Sequence, residues 1–331
     1  MKKILLICLG LVLFTSFSFG AEFTLKFSHV VAANTPKGKA ADYFAKRLEA
    51  LSKGRIEVDV YPSSQLYTDK AVMKALILNS VQMAAPSFSK FTRIVPQLSL
   101  FQLPFLFKNA DQLHRVQDGV VGKQLEQMVT KKGYVALSYW DNGFKQLSSS
   151  KKAILLPKDI KGQKVRIMSS KVLEKQFEAV GANPQVMPFS EVYSALQQGV
   201  VDAAENPISN LYTKKFYEVQ KYLTMSNHGY LGYLVVVSKT FYNSLPKDLQ
   251  ADLKQALKEA TAKERIWAKQ LNDSNLKDIK AYAKKTGKLK IYTLTKAQRA
   301  VWEKDMKTIY PDFYPKNKIG KKLINDVLNT K

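Results

Sequence analysis

The chain has 331 residues, of which 46% are hydrophobic and 11% aromatic, and its 52 lysines and arginines outnumber its 27 aspartates and glutamates to give a formal charge of +25. This length suggests roughly two domains, and the apolar fraction excludes a disordered chain. The mean hydropathy of -0.22 excludes a protein built of several membrane spans. The charge alone leaves nucleic acid, an anionic membrane and acidic small molecules open as partners.

The first residues carry the pattern of a secretory signal peptide. Lys2 and Lys3 precede an apolar run over residues 4–14, and the small residue Gly20 marks the predicted cleavage site. The run is shorter than the roughly 20 residues that a membrane-spanning helix needs. We therefore expect residues 1–20 to be removed after export to the periplasm, which lowers the formal charge to +23 because Lys2 and Lys3 are lost.

Strand and helix patterns alternate through the first half of the chain. In order, the periodicities predict a strand at 24–31, a helix at 36–52, a strand at 55–61, a helix at 68–78, a short strand at 81–85, a helix at 111–128 and an extended segment at 134–140. A polar, serine-rich segment over 141–152 follows, with a bend predicted at Gly143. A second structural unit is expected to begin there.

The second half repeats the alternation and ends in helices. The patterns predict a strand at 164–168, a helix at 170–180, a strand at 185–187, a helix at 190–198 and a strand at 200–204. Strands separated by helices favour an α/β fold with parallel sheets. Residues 246–287 read as one helix of roughly 40 residues and about 60 Å, which is long enough to cross two domains.

Metal and cofactor chemistry has little support in the sequence. The only cysteine, Cys8, lies in the predicted signal peptide, so the exported chain has no thiol ligand. His29, His114 and His228 are too far apart in sequence to form a paired metal motif, and no glycine-rich phosphate loop occurs. We expect no metal and no cofactor, and the scattered lysines without a nucleic-acid motif predict no nucleic-acid partner.

One enzyme class has partial motif support. Ser148 and Lys151 fit the SxxK pattern of penicillin-recognising enzymes, and residues 285–287 spell KTG. No SDN motif lies between them, and Ser148 stands in a serine and lysine cluster rather than at a helix start. An exported serine enzyme is therefore kept as a remote alternative to a binding protein, for which no catalytic residues are expected.

Two residues point to a binding function by their positions alone. Arg166 lies near the end of a predicted strand, where open α/β sheets bind ligands, and its planar guanidinium matches a carboxylate. A solvated or ion-paired arginine is the simpler interpretation. Asn206 precedes Pro207 at the start of a predicted helix, so its amide either caps that helix or faces a cleft.

Several segments in a fixed order then point to a known family. The chain resembles the solute-binding proteins of tripartite ATP-independent periplasmic (TRAP) transporters, above all the DctP type that binds C4-dicarboxylates, from about residue 23 to residue 302. The segments that carry the resemblance are YPSSQL at 61–66, WDNGFK at 140–145, KVR at 164–166, PFSEVY at 188–193, ALQ at 195–197, VDAAENP at 201–207 and YEVQK at 217–221.

The resemblance implies a two-domain α/β periplasmic binding protein, type II-like, with a long helix crossing both domains and a ligand cleft between them. The expected first domain comprises residues 21–143 and about 230–272, and the second comprises 144–229 and about 273–331. It also implies a monomer that is not an enzyme. Its partners would be a small organic acid and the membrane subunits of a TRAP transporter.

The resemblance also implies site residues. Arg166 matches the arginine that pairs with the ligand carboxylate in this family, Lys145 stands where sialic acid binders carry a second arginine, and Asn206 matches a ligand-contacting amide. The weaker matches to pocket or cleft residues are Phe189, His29, Lys39, Ser87, Trp140 and His228.

From these residues we expect a C4-dicarboxylate, such as succinate, fumarate or malate. Its first carboxylate would meet Arg166 and Asn206, and its second would meet Lys145, with His29 or Lys39 as further contacts. The open alternative is another organic acid, such as a 2-oxo acid, lactate or a sialic acid.

Overall fold

The computed structural model describes residues 20–330, and all of the predicted signal peptide except Gly20 lies outside the described residues. Strands and helices alternate along most of this range, as the sequence patterns predict. The strands are β1 (Phe23–Ser28), β2 (Ile56–Tyr61), β3 (Met83–Ala84), β4 (Tyr134–Phe144), β5 (Gln146–Ser149), β6 (Lys164–Ile167), β7 (Asn183–Val186), β8 (Ala203–Asn206), β9 (Tyr222–Met225), β10 (Tyr230–Ser238) and β11 (Lys290–Thr293).

Helices connect these strands and cover the sheets. They are α1 (Pro36–Leu51), α2 (Ala71–Ile77), α3 (Ala110–Asp118), α4 (Val120–Thr130), α5 (Pro157–Ile160), α6 (Lys171–Glu178), α7 (Val192–Gln197), α8 (Ile208–Thr213), α9 (Phe216–Val219), α10 (Lys239–Ser244), α11 (Lys247–Thr286), α12 (Lys296–Lys307) and α13 (Lys321–Leu328). Short 3-10 helices occupy Phe88–Lys90, Pro96–Gln102, Phe189–Glu191 and Tyr310–Phe313.

The strands form two mixed sheets. The first has five strands in the order β2, β1, β3, β10, β4, and the second has six in the order β11, β9, β5, β8, β6, β7. The parallel pairs of β1 with β2 and of β6 with β8 agree with the predicted alternation. Antiparallel pairs depart from the parallel arrangement that the sequence favours, because β10 runs antiparallel to β3 and β4, and β5 runs antiparallel to β8 and β9.

The antiparallel strands explain where sequence patterns are weak. Every residue of β10 is buried, so the strand lacks the period-two alternation that marks a half-exposed strand. β4 continues through Gly143 to Phe144 instead of bending away at Gly143, whose φ of +138° suits glycine. β5 then begins at Gln146, so the chain passes from the first sheet to the second within a few residues.

The long helix α11 confirms the prediction for residues 246–287. It follows Pro246 and ends at Gly287, whose φ of +67° and backbone N–H to Ala283 form a left-handed C-cap. Leu253 packs in the apolar cluster on the first sheet, and Ile279 packs in a cluster on the second. Because the helix contributes to both cores, it ties the two halves of the molecule together.

Two expectations about chain boundaries differ from the structure. The helix predicted at 111–128 is divided into α3 and α4 at Gly119, whose backbone is extended and which could not carry a Cβ without meeting the Arg115 carbonyl oxygen at 2.6 Å. The C-terminal segment was assigned to the second domain, but Ile309, Phe313 and Ile324 pack in the cluster with Leu113 and Leu125 beside the first sheet. The C-terminal segment therefore packs with the first half of the molecule.

Candidate functional site

A cavity of about 830 Å³ lies between the two halves and is lined by residues from both sheets. Ser87 and Lys90 come from the segment after β3, whereas Arg166 belongs to β6 and Asn206 ends β8. Phe189, from a 3-10 helix of the second half, adds an aromatic wall. Of the nine predicted site residues, the structure brings Ser87, Arg166, Phe189 and Asn206 together here.

Arg166 is held rigidly at the carboxyl end of β6 and is only 3% exposed. Its Nε and Nη2 donate to the Met187 carbonyl oxygen at 3.2 and 2.7 Å, and its guanidinium lies 5.9 Å from the Phe189 ring centroid. Burial lowers the pKa of Arg166 to about 10, against the opposing effect of Glu205. The edge formed by Nη1 and Nη2 is left for a planar anion, which suits a carboxylate.

Asn206 contributes an amide beside the arginine rather than a helix cap. It is the last residue of β8, and the N-cap of α8 is Pro207, so the predicted capping role is wrong by one position. Its Oδ1 accepts a hydrogen bond from Asn210 Nδ2 at 3.3 Å. Its buried Nδ2 has no hydrogen-bond partner among residues 20–330. The amide therefore retains a donor for a ligand that supplies an acceptor.

Lys90 is a partly buried cation of the cavity lining that was not predicted from the sequence. Its Nζ donates to Ser169 Oγ at 3.2 Å, which joins the first half of the molecule to the second. Burial lowers the pKa of Lys90, Asp69 opposes this effect and the Arg166 charge adds to it. Two cations that repel each other across a partly buried cavity favour a dianion between them.

Lys145 does not line the cavity, contrary to the expectation that it meets a second carboxylate. Its fully buried Nζ lies 2.6 Å from Glu205 Oε1, and His228 Nε2 lies 2.8 Å from Glu205 Oε2. Burial would raise the pKa of Glu205, but Lys145 and His228 outweigh it and hold that pKa at about 2. The carboxylate that Lys145 pairs with belongs to the protein itself, so both Lys145 and His228 form a structural network behind the cavity wall.

The three remaining candidates also lie away from the cavity. Trp140 is buried in the apolar cluster on the first sheet, where its Nε1 donates to Thr261 Oγ1 at 2.9 Å. His29 is 2% exposed, and burial lowers its pKa to about 3. Lys39 is exposed, with its Nζ 5.6 Å from the ring centroid of Trp267. Of the three segments, only that of His29 reaches the cavity, through Val30 and Val31, and the His29 side chain is not part of the lining.

The residues of the serine-enzyme alternative are not arranged for catalysis. Ser148 is 1% exposed within β5, and its Oγ donates to the Ala204 carbonyl oxygen at 3.4 Å. Lys151 is exposed, with its Nζ 3.5 Å from Asp202 Oδ1. The KTG residues lie at the end of α11, just before β11, and β9 separates β11 from β5 in the second sheet. A nucleophile and a base in hydrogen-bond contact, as SxxK chemistry requires, are not formed by these residues.

The cavity as a whole favours anions. The basic residues of its lining outnumber the acidic ones by seven to three. The basic ones are Lys70, Lys90, Arg93, Arg166, Lys171, Lys175 and Lys318, and the acidic ones are Asp69, Glu174 and Asp312. Sequence reasoning missed two functional candidates, Lys90 and Asn210. Lys90 lies three residues after Ser87 and Asn210 four residues after Asn206, so each is close in sequence to a predicted site residue.

Within residues 20–330 no three histidine, cysteine, aspartate or glutamate side chains are grouped as a metal site. In the same range no helix combines the length and apolarity required to span a bilayer.

Comparison with known proteins gives concordant matches over most of the chain. A family model described as "Bacterial extracellular solute-binding protein, family 7" (DctP) matches residues 27–317. The C4-dicarboxylate-binding periplasmic protein DctP of Rhodobacter capsulatus is 46% identical over 289 residues, which cover 87% of this chain and 85% of the relative. The protein of the same name from Shewanella loihica is 45% identical over 308 residues, covering 93% and 90%.

A solved structure agrees with the fold. The TRAP periplasmic solute-binding protein of Sulfurospirillum deleyianum, determined with bound succinate, is 60% identical and superposes with a TM-score of 0.91, covering 94% of this chain and all of that chain. The two-domain binding-protein fold expected from the sequence is thereby confirmed.

Proposed function

Because this chain belongs to the family 7 bacterial extracellular solute-binding proteins, we propose that it captures a C4-dicarboxylate in its central cavity and delivers it to the membrane subunits of a TRAP transporter. The family is a solute-binding component of transport rather than an enzyme family. The similar proteins named for C4-dicarboxylates, and the one determined with succinate, support the ligand class. Export through residues 1–20, with cleavage after Gly20, and action as a monomer are part of the proposal.

The observation that carries the proposal is the buried Arg166 with a second cation, Lys90, in the same cavity. We infer that one carboxylate of the ligand binds the free edge of the Arg166 guanidinium and the Asn206 amide, while the other binds Lys90 Nζ. Lys90 thus takes the role first expected of Lys145, since Lys145 is already neutralised by Glu205. The ligand would bridge the two halves, because Lys90 lies in the 3-10 helix that follows β3 of the first sheet, whereas Arg166 lies in β6 of the second sheet.

The energetics favour a dianion of moderate affinity. Hydrogen bonds to charged groups contribute roughly 1.5–3 kcal/mol each, so three of them with cleft burial support about -8 kcal/mol, a micromolar Kd. A monocarboxylate would leave Lys90 unpaired in a partly desolvated cavity and would lose that contribution. Closure of the two halves over the ligand then follows from its tighter binding to the closed state.

The alternative is a larger organic acid on the same cations. A volume of about 830 Å³ lies within the range of pockets that hold drug-sized ligands, so space alone admits acids bigger than succinate. A single-carboxylate sugar acid or sialic acid would use Arg166 and leave Lys90 for hydroxyl or carbonyl oxygens.

A thermal-shift screen followed by calorimetry tests the proposal. Succinate, fumarate and L-malate are compared with butyrate, lactate, a 2-oxo acid and a sialic acid. We expect the C4-dicarboxylates to raise Tm the most and to bind with a Kd near the micromolar range. A larger shift with any of the other acids, and none with succinate, would assign the protein to that ligand instead.

A further inference from the structure

A series of buried asparagine side chains leads from the interior of the molecule to the cavity. Asn142 near the end of β4 contacts Asn210 in α8, and Asn210 contacts Asn206 at the end of β8. We call these three residues the asparagine relay. Each is at most 2% exposed, so water does not compete for their hydrogen bonds. Asn206 and Asn210 both line the cavity.

The donor-to-acceptor direction of the relay begins at Asn142. Its Nδ2 donates to Asn210 Oδ1 at 3.0 Å and to Tyr233 Oη at 2.5 Å, while its Oδ1 accepts from Ser209 Oγ at 3.1 Å. A side-chain amide has a donor end and an acceptor end, and here both N–H groups of Asn142 donate while its oxygen accepts one hydrogen bond. Asn142 therefore offers a donor to Asn210.

That donor fixes the orientation of the next two amides. Asn210 must present its Oδ1 to Asn142, which leaves its Nδ2 to donate to Asn206 Oδ1 at 3.3 Å. The acceptor end of Asn206 is then occupied. The Nδ2 of Asn206 is buried and has no hydrogen-bond partner in the part of the chain that the structure describes. A buried, unpaired donor at a cavity wall is costly until a ligand supplies an acceptor.

We propose that Asn210 is a positioning residue that makes Asn206 present its NH2 group, and not its carbonyl oxygen, to the ligand. The inference rests on the proposed function and deepens it, because the relay makes this part of the cavity selective for a hydrogen-bond acceptor such as a carboxylate. If Asn206 turned over, its NH2 group would face the NH2 group of Asn210 with no acceptor between them, and its carbonyl oxygen would face the ligand carboxylate. Asn210 acts through Asn206 rather than by touching the ligand.

A double-mutant cycle measured by calorimetry with succinate separates these roles. N206A is expected to weaken binding by about tenfold or more, as loss of a hydrogen bond to a charged group implies. N210L, which keeps a side chain of similar size, is expected to weaken it severalfold. In the N206A background N210L should have no further effect, because residues that act through one contact are not additive. The matched control N243L changes an exposed asparagine of α10 that does not line the cavity and should leave the affinity unchanged.

The outcomes distinguish a positioning role of Asn210 from direct contact of Asn210 with the ligand. An equal loss from N210L in the wild-type and N206A backgrounds would mean that Asn210 binds the ligand directly, and unchanged affinity in N210L would also overturn the proposal. A ligand-independent readout is the pair of side-chain NH2 resonances of Asn206 in 15N NMR spectra, which should shift in N210L and not in N243L. Absence of succinate binding to the wild-type protein would contradict the proposed function, while the NMR shift would still test the relay.

Discussion

Replacing Lys90 with methionine is the sharpest test of how the second carboxylate is bound. The substitution keeps an unbranched side chain of similar length but removes the charge, and with it the hydrogen bond from Nζ to Ser169 Oγ at 3.2 Å. The lost interaction with a ligand carboxylate is worth about 1.5–3 kcal/mol, which corresponds to roughly a 10- to 150-fold higher Kd for succinate. Because Lys90 is partly exposed, we expect the lower part of that range.

The assay is calorimetry with succinate and with butyrate, which has the same number of carbons and one carboxylate. The Kd for butyrate should stay within about twofold in K90M, so the preference for the dicarboxylate should shrink by the full loss in succinate affinity. Lys70→Met is the matched control, because Lys70 also lines the cavity but is exposed, and it should change neither Kd substantially. An equal loss for succinate and butyrate in K90M would refute the assignment of Lys90 to the second carboxylate.

Arg166→Ala should raise the Kd for succinate about a hundredfold or more, and near wild-type affinity in calorimetry would remove the carboxylate role from Arg166. Lys145→Met should leave the ratio of succinate to butyrate affinity unchanged and should change the free energy of unfolding instead. A changed ratio would mean that Lys145 contacts the ligand. Glu205→Gln should lower the free energy of unfolding by about 3 kcal/mol or more, measured in denaturant, because it leaves the Lys145 charge buried without its partner. The folded-state pKa of Glu205 is held at about 2, below its ordinary 4.5. The ionised carboxylate therefore stabilises the folded protein above pH 4.5, and this stabilisation is lost as the pH falls towards 2. Between pH 4.5 and pH 2 the free energy of unfolding of the wild-type protein should fall more steeply than that of E205Q.

Much of the fold follows from the sequence because its signals are local. Proline and glycine punctuation places α1 after Thr35, whose Oγ1 accepts from the Gly38 N–H at 3.1 Å, and ends α11 at Gly287. The strands that were missed depend on non-local pairing. β5 is serine-rich and β10 is apolar at nearly every position, so neither shows the alternation of a half-buried strand, and only their partners in the sheet define them.

The candidate site was partly predictable for the same reason. The sequence predicts strands at 164–168 and 200–204, and in the structure Arg166 is the penultimate residue of β6 and Asn206 the last residue of β8. The carboxyl ends of these parallel strands meet at one edge of the sheet. Lys145 illustrates the limit, because its role depends on a glutamate 60 residues away in the chain, with which it pairs at 2.6 Å. The role of Lys90 depends on how the first half of the molecule packs against the second, and no local sequence pattern indicates this packing.

A crystal structure of the protein determined with succinate would test the central claim most directly. The account predicts one carboxylate bound by Arg166 Nη1 and Nη2 and by Asn206 Nδ2, and the other bound by Lys90 Nζ, with each pair of atoms about 3 Å apart. Succinate held outside this cavity, or bound within it with Lys90 Nζ turned to solvent and Lys145 released from Glu205 towards the ligand, would contradict the account.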